Sequence, residues 1–124
     1  MLELAQRHSG GKTVNSTAIA EAQDIPEKYL VHILLSLKRA GLVNSTRGAH
    51  GGYQLAQPPE KISLHDIVSA IDGPVEEALP LGTDASAPLR PAWHRVTKNL
   101  RDTMQAVSLR EILDTSANTD MYYI

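Results

Sequence analysis

The chain of 124 residues contains no cysteine and no phenylalanine. Without cysteine there is no disulfide, no thiolate metal site and no redox thiol. Without phenylalanine, a core has to be built from leucine, isoleucine, valine and alanine. No apolar run reaches the roughly 18–20 residues that a membrane-spanning helix needs, and the start of the chain shows neither the basic region nor the cleavage site of a signal peptide. We therefore expect a cytoplasmic protein with one core.

An excess of positive charge, which is typical of nucleic-acid binders, is also missing. Lys and Arg together number 12 and Asp and Glu number 14, for a net charge of -2. The two halves differ, however: residues 1–61 hold seven basic and five acidic side chains, whereas residues 62–124 hold five and nine. The first half is net +2 and the second net -4, so any surface that binds an anionic partner is predicted in the first half.

The most informative motif is the segment 45–55, STRGAHGGYQL, which places one arginine, one histidine and three glycines between two runs of strand-forming residues. This composition predicts a β-hairpin with a sharply bent tip that approaches another surface closely. We predict its strands at 42–46 and 53–56, with Pro58 and Pro59 closing the hairpin because proline cannot extend a ladder.

Two predicted helices precede the hairpin. A short one, 17–23, has Asn15 or Ser16 as its cap, and after a turn a longer one, 26–40, carries an apolar stripe and ends at Gly41. Helix, turn, helix and glycine-rich hairpin is the order of a winged helix-turn-helix, which binds DNA. The sequence therefore predicts a mostly α-helical fold with a small β-hairpin.

The remaining pattern predicts further elements along the chain. The residues Trp93, Val96, Leu100, Thr103 and Val107, all but one of them apolar, recur at intervals of three and four, which is typical of a helix that packs on another helix. The predicted elements are the end of a helix at 2–7 stopped by 9–11, a helix capped by Ser63 with Asp66 and ended by Gly73-Pro74, a loop at 75–88, a long helix at about 89–107, a short helix at 108–113 and a frayed polar tail from Thr115.

Candidate DNA contacts follow from the geometry of the motif. The first turns of the second helix enter the major groove, hydroxyls at a helix N-terminus hold phosphates, and an arginine at a wing tip is favoured in the narrow, negative minor groove. Each of these residues alone would be an ordinary surface or packing residue, and it is their order along the chain that favours DNA contact. The predicted DNA-binding residues are Ser16, Thr17, Lys28, Tyr29, His32, Ser45, Arg47, Gly48, His50, Gly51 and Gly52.

Four stretches, 25–30, 37–43, 47–56 and 62–67, together resemble the bacterial Rrf-type transcription regulators. That family includes the iron–sulfur-sensing IscR, the nitric-oxide-sensing NsrR and the cysteine-metabolism repressor CymR. The resemblance extends over nearly the whole chain, through Trp93 to Ser108-Leu109. It implies a homodimer, usually a repressor, in which a long C-terminal helix joins two winged units that read a palindromic operator. The implied dimerisation residues are Trp93, Val96, Leu100, Met104 and Val107.

The resemblance also assigns roles to individual residues, and this chain differs from the family at other positions. The family's wing arginine falls on Arg47 and its recognition-helix tyrosine on Tyr29. Where some members read bases with a Glu-Gln pair, this chain has Val31-His32, so we expect a different operator. Cluster-sensing members carry three cysteines before the long helix, and the last falls on Ala87. A chain without cysteine cannot hold a cysteine-ligated cluster, so no cofactor is expected and the signal is a small molecule, a partner protein or none.

The resemblance divides the chain into three parts: a winged helix-turn-helix region at 1–73 with a truncated first helix, a loop at 74–88 in the cluster or effector position, and the dimerisation helix, final helix and tail at 89–124. The rival hypothesis is a winged-helix interaction module, whose acidic C-terminal half binds a partner protein with weak or no DNA binding. An enzyme is disfavoured because no nucleophile elbow, phosphate loop or metal motif is present. The scattered His8, His65 and His94 are interpreted as structural.

Overall fold

The computed structural model describes residues 1–8, 11–74 and 84–122, and within them six α-helices and one two-stranded antiparallel sheet. This confirms the predicted fold class. Short 3-10 turns lie at Pro59–Lys61 and Asp84–Leu89. The main elements are α1 (Leu2–Gln6), α2 (Ser16–Gln23), α3 (Glu27–Arg39), β1 (Val43–Thr46), β2 (Gly52–Leu55), α4 (Leu64–Asp72), α5 (Arg90–Ala106) and α6 (Leu109–Tyr122).

The polar caps of two helices are those that the sequence predicts. The side chain of Asn15 accepts a hydrogen bond from the Ala18 N–H at 2.8 Å and begins α2. At α4, the Ser63 hydroxyl accepts from the Asp66 N–H while the Asp66 carboxylate accepts from the Ser63 N–H, both at 3.0 Å. This reciprocal pair satisfies two N–H groups that a helix start leaves without partners.

Three boundary predictions were wrong. Pro26 is the N-cap of α3 rather than its first helical residue. The segment 84–88, predicted as the end of a loop, forms a 3-10 helix together with Leu89, which was predicted to begin the long helix. The last helix was predicted to end at 113, with a frayed tail from Thr115, but it continues to Tyr122. α6 packs on α1 and on the turn at Pro59–Lys61. The predicted stop at Ser9-Gly10 and the predicted loop at 75–83 fall outside the described residues.

The core is aliphatic, as the absence of phenylalanine requires. The apolar stripe of α3 forms its centre, and the strands, α1, α2 and the start of α6 add to it. Three of its residues, Val43, Ile62 and Leu109, have at most 1% of their surface exposed. The buried hydrophobic residues are Leu4, Ala5, Val14, Ile19, Ala20, Leu30, Leu34, Leu37, Leu42, Val43, Leu55, Ile62 and Leu109.

The wing is tied to a segment that precedes α2. β1 and β2 pair with Val43 opposite Leu55 and Thr46 opposite Gly52. The N–H of Val14 donates to the Tyr53 carbonyl at 2.8 Å, and the N–H of Tyr53 donates to the Val14 carbonyl at 2.7 Å. A side chain on Gly52, which has a φ of 148°, would place its Cβ 2.6 Å from the Val14 carbonyl carbon. Only glycine fits this close approach.

The corner between α5 and α6 is fastened to the chain just after the wing. The N–H of Leu64 donates to the Val107 carbonyl at 2.8 Å, and the N–H of Leu109 donates to the Ile62 carbonyl at 2.7 Å. α4 packs on both α3 and α5. At the N-terminus, burial lowers the pKa of the Met1 amino group, and the nearby Glu3 carboxylate opposes this shift. None of the described helices combines the length and the apolar character needed to cross a membrane.

Candidate DNA interface

The first half of α3 presents three of the predicted contact residues to solvent. Leu30 and Leu34 hold the helix on the core, with 4% and 2% of their surface exposed. Lys28, Tyr29 and His32 are exposed, and 62% of the Tyr29 surface is accessible. A phenol so exposed is not a packing residue of this chain. The helix therefore offers an ammonium, a hydroxyl and an imidazole, which are suitable donors to phosphates and base edges.

The N-terminus of α2 lies directly against the first turn of α3. The hydroxyls of Ser16 and Thr17 both donate to Oε1 of Glu27, at 3.3 and 3.0 Å. These are the two hydroxyls that the sequence predicts as phosphate contacts. The sequence did not reveal that an acidic side chain of the same chain accepts their hydrogen bonds, because the two segments are ten or more residues apart.

The exposed tip of the wing carries the predicted arginine and histidine. Ser45, Arg47 and His50 are exposed. The Lys38 ammonium donates to the Ser45 hydroxyl at 2.7 Å and so joins the last turn of α3 to β1. Ser45 therefore already has a cationic partner. This hydrogen bond places Lys38 next to the predicted DNA-binding residues. The sequence did not predict Lys38 as one of them.

The segment before α2 adds a lysine that sequence reasoning missed. The Thr13 hydroxyl donates to the His50 carbonyl at 2.7 Å, next to the bridge between Val14 and Tyr53. Residues 11–13 and 49–51 line a common cleft of about 570 Å³. Lys12, which is exposed, is part of that lining. No local motif marks this lysine, because only the bridge to the wing brings it there.

These contacts join the predicted residues into one surface. It runs from the wing tip through Thr13 and the α2 cap to Glu27 and the start of α3. Residues 11–56 contain five Lys or Arg and three Asp or Glu, so this part of the chain is net +2. The basic residues are Lys12, Lys28, Lys38, Arg39 and Arg47. We call this surface, from residue 11 to residue 56, the winged surface.

Helix α5 exposes apolar side chains. Leu89 just before it, Val96 and Leu100 are 59%, 53% and 44% exposed. Of the other predicted dimerisation residues, Trp93, Met104 and Val107 are half-buried. The indole N–H of Trp93 is buried without a hydrogen-bond partner among the described residues. We call the exposed set Leu89, Val96 and Leu100 the α5 apolar strip.

A helix-turn-helix followed by a docked wing is the winged-helix architecture, and the exposed basic residues on it are suited to DNA. A family model described as "Rrf2: Iron-dependent Transcriptional regulator" matches residues 1–115. The chain belongs to this Rrf2 family, which confirms the resemblance to Rrf-type regulators.

Relatives and solved structures agree with this assignment. The transcriptional regulator CymR of Bacillus subtilis is 32% identical over 127 residues, covering all of this chain and 91% of CymR. The structure of CymR, the global cysteine regulator of B. subtilis, superposes with a TM-score of 0.78 at 30% identity over 92% of this chain and 87% of that one. The structure of T. potens IscR gives 0.73 at 32% identity over 93% and 78%.

The protein is therefore a DNA-binding transcription regulator rather than an enzyme, and the interaction-module hypothesis is not favoured. The individual DNA and dimer contacts stay predictions.

The family description names iron, and the side chains available as metal ligands decide whether this chain can hold an iron–sulfur cluster. The sequence offers no thiolate, and the described residues contain no group of three or more His, Asp or Glu placed to hold a metal ion. The residues do not fit a cysteine-ligated cluster.

Proposed function

We propose that the protein is a cytoplasmic homodimeric repressor that binds a palindromic operator through α3 and the wing, without an iron–sulfur cluster. The observation that carries this proposal is the continuity of the winged surface. Hydrogen bonds within one chain join the wing tip, the segment before α2 and the first turn of α3. The part of this surface that is organised by the Thr13–His50 hydrogen bond and the Val14–Tyr53 bridge loses little conformational freedom when it binds.

On DNA, the first turns of α3 would enter the major groove. Lys28 and His32 would donate to base edges or phosphates, and Tyr29 would donate its hydroxyl to a phosphate. Arg47 at the wing tip would enter the adjacent minor groove. Lys12 beside the wing, together with Ser16 and Thr17, would hold the backbone between the two grooves and fix the register of the protein.

The α5 apolar strip supports the dimer. Exposed apolar side chains on a helix that already packs on α4 mark a surface suited to a second protein. A second copy of α5 offers the same side chains, as a two-fold interface requires. Two winged surfaces related by a two-fold axis would read two half-sites of a palindrome.

The absence of cysteine supports regulation by a signal other than a cluster. We propose that DNA binding responds to a small molecule or to a partner protein, or that it has no effector and depends only on how much of the regulator is present. Purified protein would be analysed for iron and its DNA affinity compared with and without a metal chelator. Stoichiometric iron, or affinity lost on chelation, would contradict the cluster-free proposal.

The first experiment selects bound sequences from random duplex DNA at physiological salt without added cofactor. We expect an enriched palindrome, bound by a dimer in sedimentation velocity. Affinity should also fall steeply as salt rises, because phosphate contacts release counterions. An enriched single half-site would contradict the dimer. No enrichment combined with salt-insensitive binding of a protein partner would instead support the interaction-module hypothesis.

A further inference from the structure

An acidic side chain lies within the winged surface. Residues 11–56 contain three acids, Glu21, Asp24 and Glu27. Glu27 is exposed on the first turn of α3, immediately before Lys28 and Tyr29. Its Oε1 accepts hydrogen bonds from the hydroxyls of Ser16 and Thr17. A negative charge is thus held beside side chains that the proposed function directs to the anionic DNA backbone.

The hydrogen bonds make Glu27 a competitor of phosphate. A serine or threonine hydroxyl has a single proton to donate. While Ser16 and Thr17 donate to the Glu27 carboxylate, neither can donate to a phosphate oxygen. A phosphate that takes these hydroxyls must therefore displace the carboxylate, and the two anions repel each other at close range.

We propose that Glu27 is a selectivity residue that disfavours binding through phosphate contacts alone, an inference that depends on the proposed function. A complex held only through the DNA backbone retains the full repulsion between the phosphate and the Glu27 carboxylate. When α3 is seated in the major groove, the displaced carboxylate faces base edges, where the amino group of a cytosine can donate to it. The repulsion is then offset on the operator and remains on other sequences.

The test compares Glu27→Gln with wild type on two duplexes of equal length, the selected operator and a scrambled version. Glutamine keeps one oxygen that can accept from Ser16 and Thr17, removes the charge, and replaces the second oxygen with an NH2 donor. By fluorescence anisotropy at fixed salt, we expect Glu27→Gln to bind the scrambled duplex roughly five- to tenfold more tightly and the operator less than about twofold more tightly. The matched control Glu111→Gln, an exposed acid on α6 outside the winged surface, should change either affinity by less than about twofold.

A double-mutant cycle tests whether the hydroxyls are the point of competition. In a Ser16→Ala/Thr17→Val background, adding Glu27→Gln should tighten scrambled binding by clearly less than in the wild-type background. An equal gain in both backgrounds would overturn the competition. Thermal unfolding of every variant checks that the fold is intact.

Three further results would overturn the proposal: equal tightening on both duplexes, weaker binding to both, or no change beyond that of Glu111→Gln. Equal tightening would show a general charge effect, and weaker binding would show that Glu27 only positions the two hydroxyls. A wild-type protein that binds neither duplex would instead remove the proposed function itself, and the two failures are therefore distinguishable.

Discussion

The winged surface and helix α5 differ in whether their side chains find partners within one chain. On the winged surface, hydrogen bonds pair Thr13 with His50, Lys38 with Ser45 and Glu27 with the two hydroxyls of α2. On α5, the apolar strip is exposed to solvent. The polar region is thus organised within the chain, whereas the apolar region is suited to a second protein molecule.

This difference separates two requirements of a DNA-binding protein. Recognition of groove edges needs donors that are already oriented, since ordering them during binding lowers affinity. Spacing two half-sites along a duplex needs only an interface that holds two units at a fixed distance. The four substitutions below test each region separately, in order of decreasing expected effect.

Removing the support beneath the winged surface should have the largest effect. Leu34 on α3 is 2% exposed, and Leu34→Ala should lower the free energy of unfolding by about 2–5 kcal/mol, because it leaves a cavity in the core. The neighbouring Leu35, 43% exposed, supplies the control, and Leu35→Ala should cost well under half as much. Urea denaturation at equal protein concentration measures both. Similar losses in the two variants would contradict the described burial of α3.

A charge in the α5 apolar strip should separate the two units. Leu100→Asp should weaken dimerisation by about 2 kcal/mol or more, over tenfold in the dissociation constant, because a carboxylate would be buried without a partner. Asn99→Asp adds the same charge at an adjacent exposed position and should change the dissociation constant of the dimer little. Sedimentation velocity across a concentration series distinguishes them. If Leu100→Asp sediments like wild type, the strip is not the dimer interface.

The wing tip should contribute an intermediate effect on DNA affinity and none on dimerisation. Arg47→Ala should weaken operator binding by about 1–3 kcal/mol if its guanidinium reads a groove feature. Lys61→Ala removes a charge from another exposed position and serves as the comparison. Isothermal titration with the operator gives both values. An Arg47→Ala affinity equal to that of Lys61→Ala would remove the wing tip from the interface.

The smallest effect should come from Lys12, the lysine that lines the cleft beside the wing. Lys12→Ala should weaken operator and scrambled DNA about equally and reduce the slope of log affinity against log salt by about 1, because it removes one phosphate contact. Lys98→Ala on α5 should leave the slope unchanged. A loss confined to the operator would show that Lys12 reads sequence rather than backbone.

Local patterns in the sequence predicted the parts of the fold that local physics determines. The stripe of α3, the capping box at Ser63 and the glycine-rich hairpin all depend on residues within a few positions of each other. The omissions involve long-range contacts, since the position of Lys12 follows from the bridge between Val14 and Tyr53. The length of α6 was missed because the residues from Thr115 onward are mostly polar, a composition typical of both a tail and a polar helix.

The candidate interface divides in the same way. Spacing and residue type predicted Arg47, Lys28 and His32, all of which the structure exposes. The sequence could not predict that Glu27 accepts hydrogen bonds from Ser16 and Thr17. A glutamate is common in the first turn of any helix, because its charge interacts favourably with the helix dipole.

The burial of Leu109 has a consequence for synthesis of the protein. This residue, 1% exposed, shares a core with Leu4 of the first helix, and α6 packs on α1. A domain generally folds as a unit during synthesis. Here the hydrophobic core beneath the winged surface is not complete until Leu109 has been translated. A nascent chain that stops before Leu109 would therefore carry the recognition helix without part of the core that supports it.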